Sequence, residues 1–368
     1  MVMGISTTAP TGSEKEIVNQ IASRLRAKIR DVSNSFIPNP GVYLSKTTYA
    51  IHVRQDPPAG WKQTVGPSIG LLLSDPADWF AGKLIQGVVE VSDSHDYDLI
   101  VDVSKDDPII EARKLQHLLE RTLGVLIVPA SNTVLDPALK RLLQSHECVL
   151  VDRYFHDLPG VLCVHHDDVS AGRQAALYLK ECACARVLIV DQASRSSDRF
   201  AITALEDRAK GCRVELGDEI RFRYLPAAGS DEQGGFVALE QFEKKEPLAP
   251  NDGIFALTDK LALGCRHYLA TRQPPLDLPL IGAEGQPFGD FLTPPFASIE
   301  FDIVELGGQA AKVLFAKMQE GDLPRSDCQP HFLTTPTLLK PSLVTGKRER
   351  VSICFPDAAS YYSETKSR

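Results

Sequence analysis

No stretch of the 368-residue sequence offers the roughly 18–20 consecutive apolar residues of a membrane span. The opening Met1 to Thr8 also lacks a basic region followed by an apolar one. Neither membrane insertion nor export is expected, and a cytoplasmic protein is. The eight cysteines, at 148, 163, 182, 184, 212, 265, 328 and 354, form no CxxC pair with a matching His or Cys pair at zinc-finger spacing. They read as reduced thiols, and Cys182 and Cys184, one residue apart, are too little to hold a metal. A nucleophile elbow, a P-loop, a GxGxxG after the first strand and an HExxH helix are all absent. A binding protein without cofactor or metal is expected, and an enzyme is not.

What is present is an ordinary soluble composition, with 43% hydrophobic and 24% charged residues. At about 150 residues per domain the length predicts two or three units. The net charge of −8 is unevenly spread: residues 1–66 carry eight Lys and Arg against four acids, leaving −12 on residues 67–368. Only the basic head suits a polyanion.

From Pro67 onward a short apolar run alternates with an amphipathic stretch of helical length, the signature of parallel sheets with crossover helices. Strands are expected at 69–73, 97–101, 124–128, 148–151, 160–164, 186–190, 220–224, 253–257 and 279–282. Helices are expected at Ala112–Leu123, Ala171–Leu179 and Lys260–Ala270, among others. Nine strands exceed one ordinary open sheet. Ligands bind at the carboxyl ends of such strands, and these ends are polar: Ser74-Asp75, Asp102, Asp152-Arg153, His166-Asp167-Asp168, Asp191-Gln192, Thr258-Asp259 and Glu284. Helix capping by Asp explains about half of them equally well.

The order of several segments resembles the effector-binding core of LacI/GalR-type transcription regulators and the related periplasmic sugar-binding proteins. The segments are Asp75-Pro76 with Trp79-Phe80, Val151-Asp152-Arg153, Asp167 to Gly172, Asp198-Arg199-Phe200, Ile254 to Gly264, Leu280 to Glu284, Pro295 to Ile299, and Leu333 to Ser342. The resemblance implies an α/β, two-lobed, periplasmic-binding-protein-like type I fold, each lobe a parallel sheet flanked by helices, plus a small N-terminal segment. Lobe one would be residues 67–165 and 301–330, lobe two 166–300 and 331–345, with a tail from 346 to 368. Three strands would cross between the lobes, and a small carbohydrate would sit between them.

A sugar needs polar side chains around its rim and flat apolar groups against its faces. Arg153 and Arg199, expected to face one cleft from opposite sides, would donate, with Ser74, Asp75, Asp152, Asp168, Thr258, Asp259 and Glu284 around the rim. Trp79, Phe80 and Phe301 would cover the faces, although ordinary core packing also explains Trp79-Phe80. Three positions depart from the family pattern: Thr258-Asp259 stands for the usual Asn-Asp, Gly282-Ala283-Glu284 for Gly-Phe-Asp, and Phe301 for a frequent polar residue. These changes imply a less polar pocket than a free hexose needs, while two arginines keep a sugar acid or sugar phosphate in play. In His165-His166-Asp167-Asp168 adjacent side chains alternate in direction, so a helix cap at the crossover is preferred to a metal cluster.

At the N-terminus, Ser13-x-x-Glu16 is a capping box, and Ile17, Ile21, Leu25 and Ile29 follow on one helical face. This basic helix, with Arg24 and Lys28, looks like the first helix of GntR-type winged domains. Ser45, Lys46 and Thr47 look like the start of a recognition helix, and alternation from Thr47 to Arg54 makes a strand the alternative. The standard LacI-type head is absent. The expected function is a sugar-responsive, DNA-binding regulator working as a homodimer; the alternative is a ligand-binding sensor module without DNA contact.

Overall fold

The computed structural model describes residues 66–74, 79–130, 133–155, 158–192, 204–320, 331–342, 347–351, 353 and 355, all within the unit Thr64–Arg368. Arg24, Lys28, Ser45, Lys46 and Thr47 lie outside the described residues, as do Asp75 and Arg199. No helix of the described residues is long and apolar enough to cross a membrane.

The strands form two sheets. In the first, β11 (His331–Thr334), β5 (Leu162–His166), β4 (Cys148–Val151), β3 (Val125–Ile127), β1 (Ser68–Leu73) and β2 (Asp98–Val103) lie side by side in that order, all parallel. In the second, β10 (Ala297–Glu300), β9 (Leu280–Glu284), β8 (Asp252–Ala256), β6 (Arg186–Gln192) and β7 (Arg221–Ala227) are parallel. The antiparallel pair β12 (Thr337–Pro341) and β13 (Arg348–Val351) completes its other edge. The inner strands β1, β3, β4, β5 and β8 are buried at every residue. This is why their sequences are mostly apolar rather than alternating.

Helices cover both faces of each sheet. Helices α1 (Trp79–Ser94) and α8 (Ile303–Glu320) cover one face of the first, and α4 (Asp168–Glu181) and α5 (Ala204–Leu216) one face of the second. Their apolar residues join one continuous core with the inner strands. Two further cores lie beneath α2 (Pro108–Leu119) with α3 (Pro137–Ser145), and beneath α6 (Glu232–Glu243) with α7 (Asp259–Thr271). Helix α2 starts four residues before the apolar spacing predicts. Asp107 caps it, accepting from the backbone N–H groups of Ile109 at 2.8 Å and Ile110 at 3.1 Å, and Pro108 occupies its first turn.

The chain passes between the sheets after His166, after Glu300, and between Thr334 and Thr337. The third passage therefore falls at Thr335-Pro336, a few residues beyond the expected 330, because His331–Thr334 is the edge strand of the first sheet. Only Thr334 of that strand is fully buried, so its sequence carries little apolar signal of its own. The tail expected from 346 begins with β13 in the second sheet.

Three helix pairs pack backbone to backbone through glycines. A Cβ on Gly87 of α1 would land on the carbonyl oxygen of Val304 in α8, and one on Gly235 of α6 on that of Leu261 in α7. A Cβ on Gly172 of α4 would meet the carbonyl oxygen of Arg208 in α5, and one on Gly211 that of Val169. Such contacts involve main chain on both sides and leave no side chain to swing away. Gly172→Ala is thus expected to lower stability in urea unfolding by about 1–3 kcal/mol. Gly82→Ala, at an exposed helical position with nothing near the added Cβ, is expected to raise it by about 0.5–1 kcal/mol.

Candidate functional site between the strand ends

The polar strand ends of both sheets converge where the chain crosses. Asp152, directly after β4, has a left-handed backbone (φ 66°), and Glu284, the last residue of β9, has φ 115°. Non-glycine residues hold such angles only where surrounding contacts impose them, and such residues cluster at binding sites.

On the first-sheet side, Arg153 Nη1 donates to the carbonyl of Pro129 at 2.8 Å and to Asp106 Oδ1 at 3.2 Å, and its Nε lies 4.0 Å from Asp152. Glu111 of α2 accepts from the Ala130 backbone N–H at 2.5 Å and from Thr133 Oγ1 at 2.6 Å, which ties both residues to α2. Ser74 is buried at the end of β1, and its carbonyl accepts from the Asp106 N–H at 2.9 Å. Trp79 and Phe80 open α1 and pack, half-buried, against the central core.

On the second-sheet side the central group is Arg208 of α5. Its Nε donates to Asp168 Oδ1 at 2.7 Å and its Nη1 to the carbonyl of Leu257 at 2.9 Å, and its guanidinium lies over the Phe301 ring at 4.5 Å. Both members of the ion pair are buried, at 7% and 1% side-chain exposure. Burial works against the charge of Arg208, but Asp168 and Glu284 outweigh it and hold its pKa above the ordinary guanidinium value. Burial also pushes the Asp168 carboxyl upward against the pull of Arg208. The pair stays ionised, because a guanidinium keeps its proton and a neutral Asp168 would leave a buried cation uncompensated.

Thr258 caps α7 by accepting from the Leu261 N–H at 3.2 Å. Asp259 accepts from Ser298 Oγ and from the Gln286 N–H, each at 2.6 Å. Its carboxyl is pushed up to about 8, by burial first and by neighbouring Glu284 second. Glu284 accepts from Gln286 Nε2 at 2.7 Å. Phe301 is 4% exposed, with His166 against it at 4.6 Å between ring centres and Arg208 above it. Its ring is taken up by the crossing segments. Asp167 caps α4 through the Ser170 N–H at 3.0 Å, as expected of a carboxylate at a crossover.

The structure thus brings Asp152 of one lobe together with Asp168 and Glu284 of the other near Arg208, whose guanidinium lies over Phe301; Arg153 lies beside Asp152, and Asp259 shares the Glu284 neighbourhood. Arg208 was missed by the sequence reading. The signal was present: Leu205, Arg208, Ala209, Cys212 and Leu216 share one helical face, so a cation sits on the apolar side of α5. The lobes also touch through Tyr154, whose hydroxyl donates to Asp207 Oδ2 at 2.8 Å.

Comparison with known proteins accords with this architecture. Residues 184–336 match the family of periplasmic binding protein-like domains. The ribose operon repressor of Halalkalibacterium halodurans is 24% identical over 259 residues, 69% of this chain and 74% of that protein. Among solved structures, a LacI family transcriptional regulator from Enterococcus faecalis with bound ribose aligns with a TM-score of 0.60 at 19% identity, over 78% of this chain and 98% of that one. The Cra regulator of Pseudomonas putida in complex with fructose 1-phosphate aligns with a TM-score of 0.62 at 18% identity, over 74% and 97%. The fold is that of these periplasmic-binding-protein-like regulators.

Two outcomes follow from the buried charges. Arg208→Ala strands the Asp168 carboxylate and should cost about 3–5 kcal/mol in urea unfolding, and adding Asp168→Asn should recover much of that loss. The second concerns pH. Burial pushes the Asp207 carboxyl up to about 7, and Asp259 titrates near 8, against about 3.9 in an unfolded chain. Below these values the folded state holds protons that the unfolded state has released, so stability falls as pH rises through the folded pKa. Buried His165, lowered to about 3 by burial, affects only the limb below about 6.5. Urea midpoints should therefore decline from pH 6.5 to pH 8, and Asp207→Asn, which keeps an acceptor for Tyr154, should flatten that decline.

Proposed function

We propose that the chain is a cytoplasmic, sugar-responsive transcription regulator of LacI/GalR type. It holds a small carbohydrate between its lobes as a homodimer and couples that binding to DNA through its basic N-terminal segment. The observation that carries this reading is the meeting of polar strand ends from two sheets at three chain crossings, around buried Arg208. The fold and the named relatives support it, and the reading contains no catalytic step.

The ligand groups are Ser74, Asp75, Asp152, Arg153, Asp168, Arg199, Thr258, Asp259 and Glu284 around the rim, with Trp79 and Phe80 as apolar surfaces, since Phe301 is enclosed by Arg208 and His166. The donors of Arg208 and Arg153 are engaged by Asp168, the Leu257 and Pro129 carbonyls and Asp106. Carboxylates at 152, 168 and 284 face the same region, since all three act on Arg208. That balance favours a neutral polyol over a sugar acid or phosphate, because three carboxylates close together repel an anion.

The test is calorimetric titration with ribose and fructose 1-phosphate, followed by duplex binding with and without ligand. Ribose should bind better than fructose 1-phosphate, and Glu284→Gln should weaken it at least about tenfold by removing a charged acceptor. Duplex affinity should fall with salt, and Lys46→Ala should lower the logarithmic slope by about 0.9. Sugar binding with no duplex binding near 50 mM salt would leave the sensor module without DNA contact.

A further inference from the structure

We propose that Cys163, His165 and His331 form a binding site for a d10 metal ion of borderline or soft character, zinc(II) or copper(I). The site follows from strand register. Cys163 and His165 are two residues apart on β5 and share one face of the sheet, and His331 of β11 is the register partner of Cys163. One thiol and two imidazoles thereby meet, with their ligand atoms all within 4.8 Å of one another. His165 Nε2 and His331 Nδ1 are 2.9 Å apart. A loaded zinc site has N–Zn bonds of about 2.0–2.1 Å and S–Zn of about 2.3 Å, so adjacent ligand atoms stand about 3.3–3.6 Å apart. Small side-chain rotations span the difference.

The surroundings suit such an ion. His165 Nδ1 donates to the carbonyl of His166 at 2.8 Å, which leaves Nε2 as the nitrogen with the lone pair, directed at His331. A backbone carbonyl on the second ring nitrogen is the usual support of a metal-binding histidine. The donor set contains no carboxylate, which disfavours calcium and magnesium, and thiolate with imidazole favours zinc or copper(I). Cys163 and His165 are buried, whereas half-buried His331 lies on the edge strand and gives a way in. Loading releases the Cys163 thiol proton to solvent and moves the His331 proton from Nδ1 to Nε2. No electron is transferred. Cys163 also gives up a long contact with the Arg153 carbonyl, at 4.0 Å.

Position gives the site a consequence, which rests on the two-lobed sensor reading as the metal binding itself does not. Strands β5 and β11 lead directly into two of the three crossings. The Tyr154 ring lies 5.0 Å from both the His165 and His331 rings while its hydroxyl reaches Asp207 in the other lobe. An ion here would stiffen the root of the inter-lobe connection.

The test uses the full chain, stripped with a chelator and then loaded in two arms. One arm takes zinc sulfate followed by dialysis, and the other takes copper(I) under anaerobic conditions with bicinchoninate as competitor. Retained metal is counted by mass spectrometry, and cobalt(II) loading reads out thiolate ligation as a sulfur-to-cobalt charge-transfer band. About one ion per chain is expected in at least one arm, with a tenfold or greater loss of affinity in Cys163→Ser and His331→Gln and none in Cys182→Ser. His331→Gln, at a half-buried edge position, decides the matter if Cys163→Ser fails to fold. Substoichiometric retention in both arms, or retention unaffected by His331→Gln, overturns the proposal.

Discussion

One buried guanidinium ties the second lobe to the crossings between the lobes. Arg208 gives a charged hydrogen bond to Asp168, which follows the first crossing, and a second bond to the carbonyl at the end of β8. Its flat face lies on Phe301, at the second crossing. Taking such a charge out of water is favourable only when its partners are fixed in place. The strand ends, the crossings and helix α5 must therefore adopt one mutual arrangement, and the polar side chains around Arg208 inherit that order.

The glycine contacts serve the same end. Gly172 and Gly211 let α4 and α5 approach until backbone meets backbone, and the carbonyl that touches Gly172 belongs to Arg208 itself. The depth at which the guanidinium sits is thus set by the absence of a methyl group on the neighbouring helix. Around it the crossing segments bind one another: the Asp167 N–H donates to the Thr334 carbonyl at 3.0 Å, His166 bonds the Thr334 hydroxyl, and Gln174 donates to the Pro336 carbonyl at 3.2 Å. The first and third crossings are one hydrogen-bonded unit, so a change in the angle between the lobes would be shared by both. A ligand that prefers one angle can act on the rest of the protein only through its difference in affinity for the two arrangements.

Much of the fold was legible because inner strands of parallel sheets are apolar at every position and their helices repeat with a 3.6-residue period. Strands β1 to β9 lie within a few residues of the apolar runs. The short strands at the carboxyl end were not separable. Residues 331–334 and 337–341 read as one closing segment, because an edge strand is buried on one side only and four residues give no periodicity to measure. At the site, Asp167 was legible as a helix cap, since a short polar side chain before an apolar helix has a local purpose.

Arg208 was not recognised, although it shares a helical face with Leu205, Ala209, Cys212 and Leu216, because its partners Asp168, Leu257 and Phe301 are remote in sequence. The grouping of Cys163, His165 and His331 was likewise beyond reach, since strand pairing joins residues more than 160 positions apart. By itself the sequence determined the kind of protein: the class of its sheets, the polarity of its strand ends and the acidity of its core, all properties of neighbours along the chain. The tertiary structure decided which charges face one another, which carboxyls hold their protons and where the chain crosses, because burial and distance between remote residues exist only once the two sheets have formed.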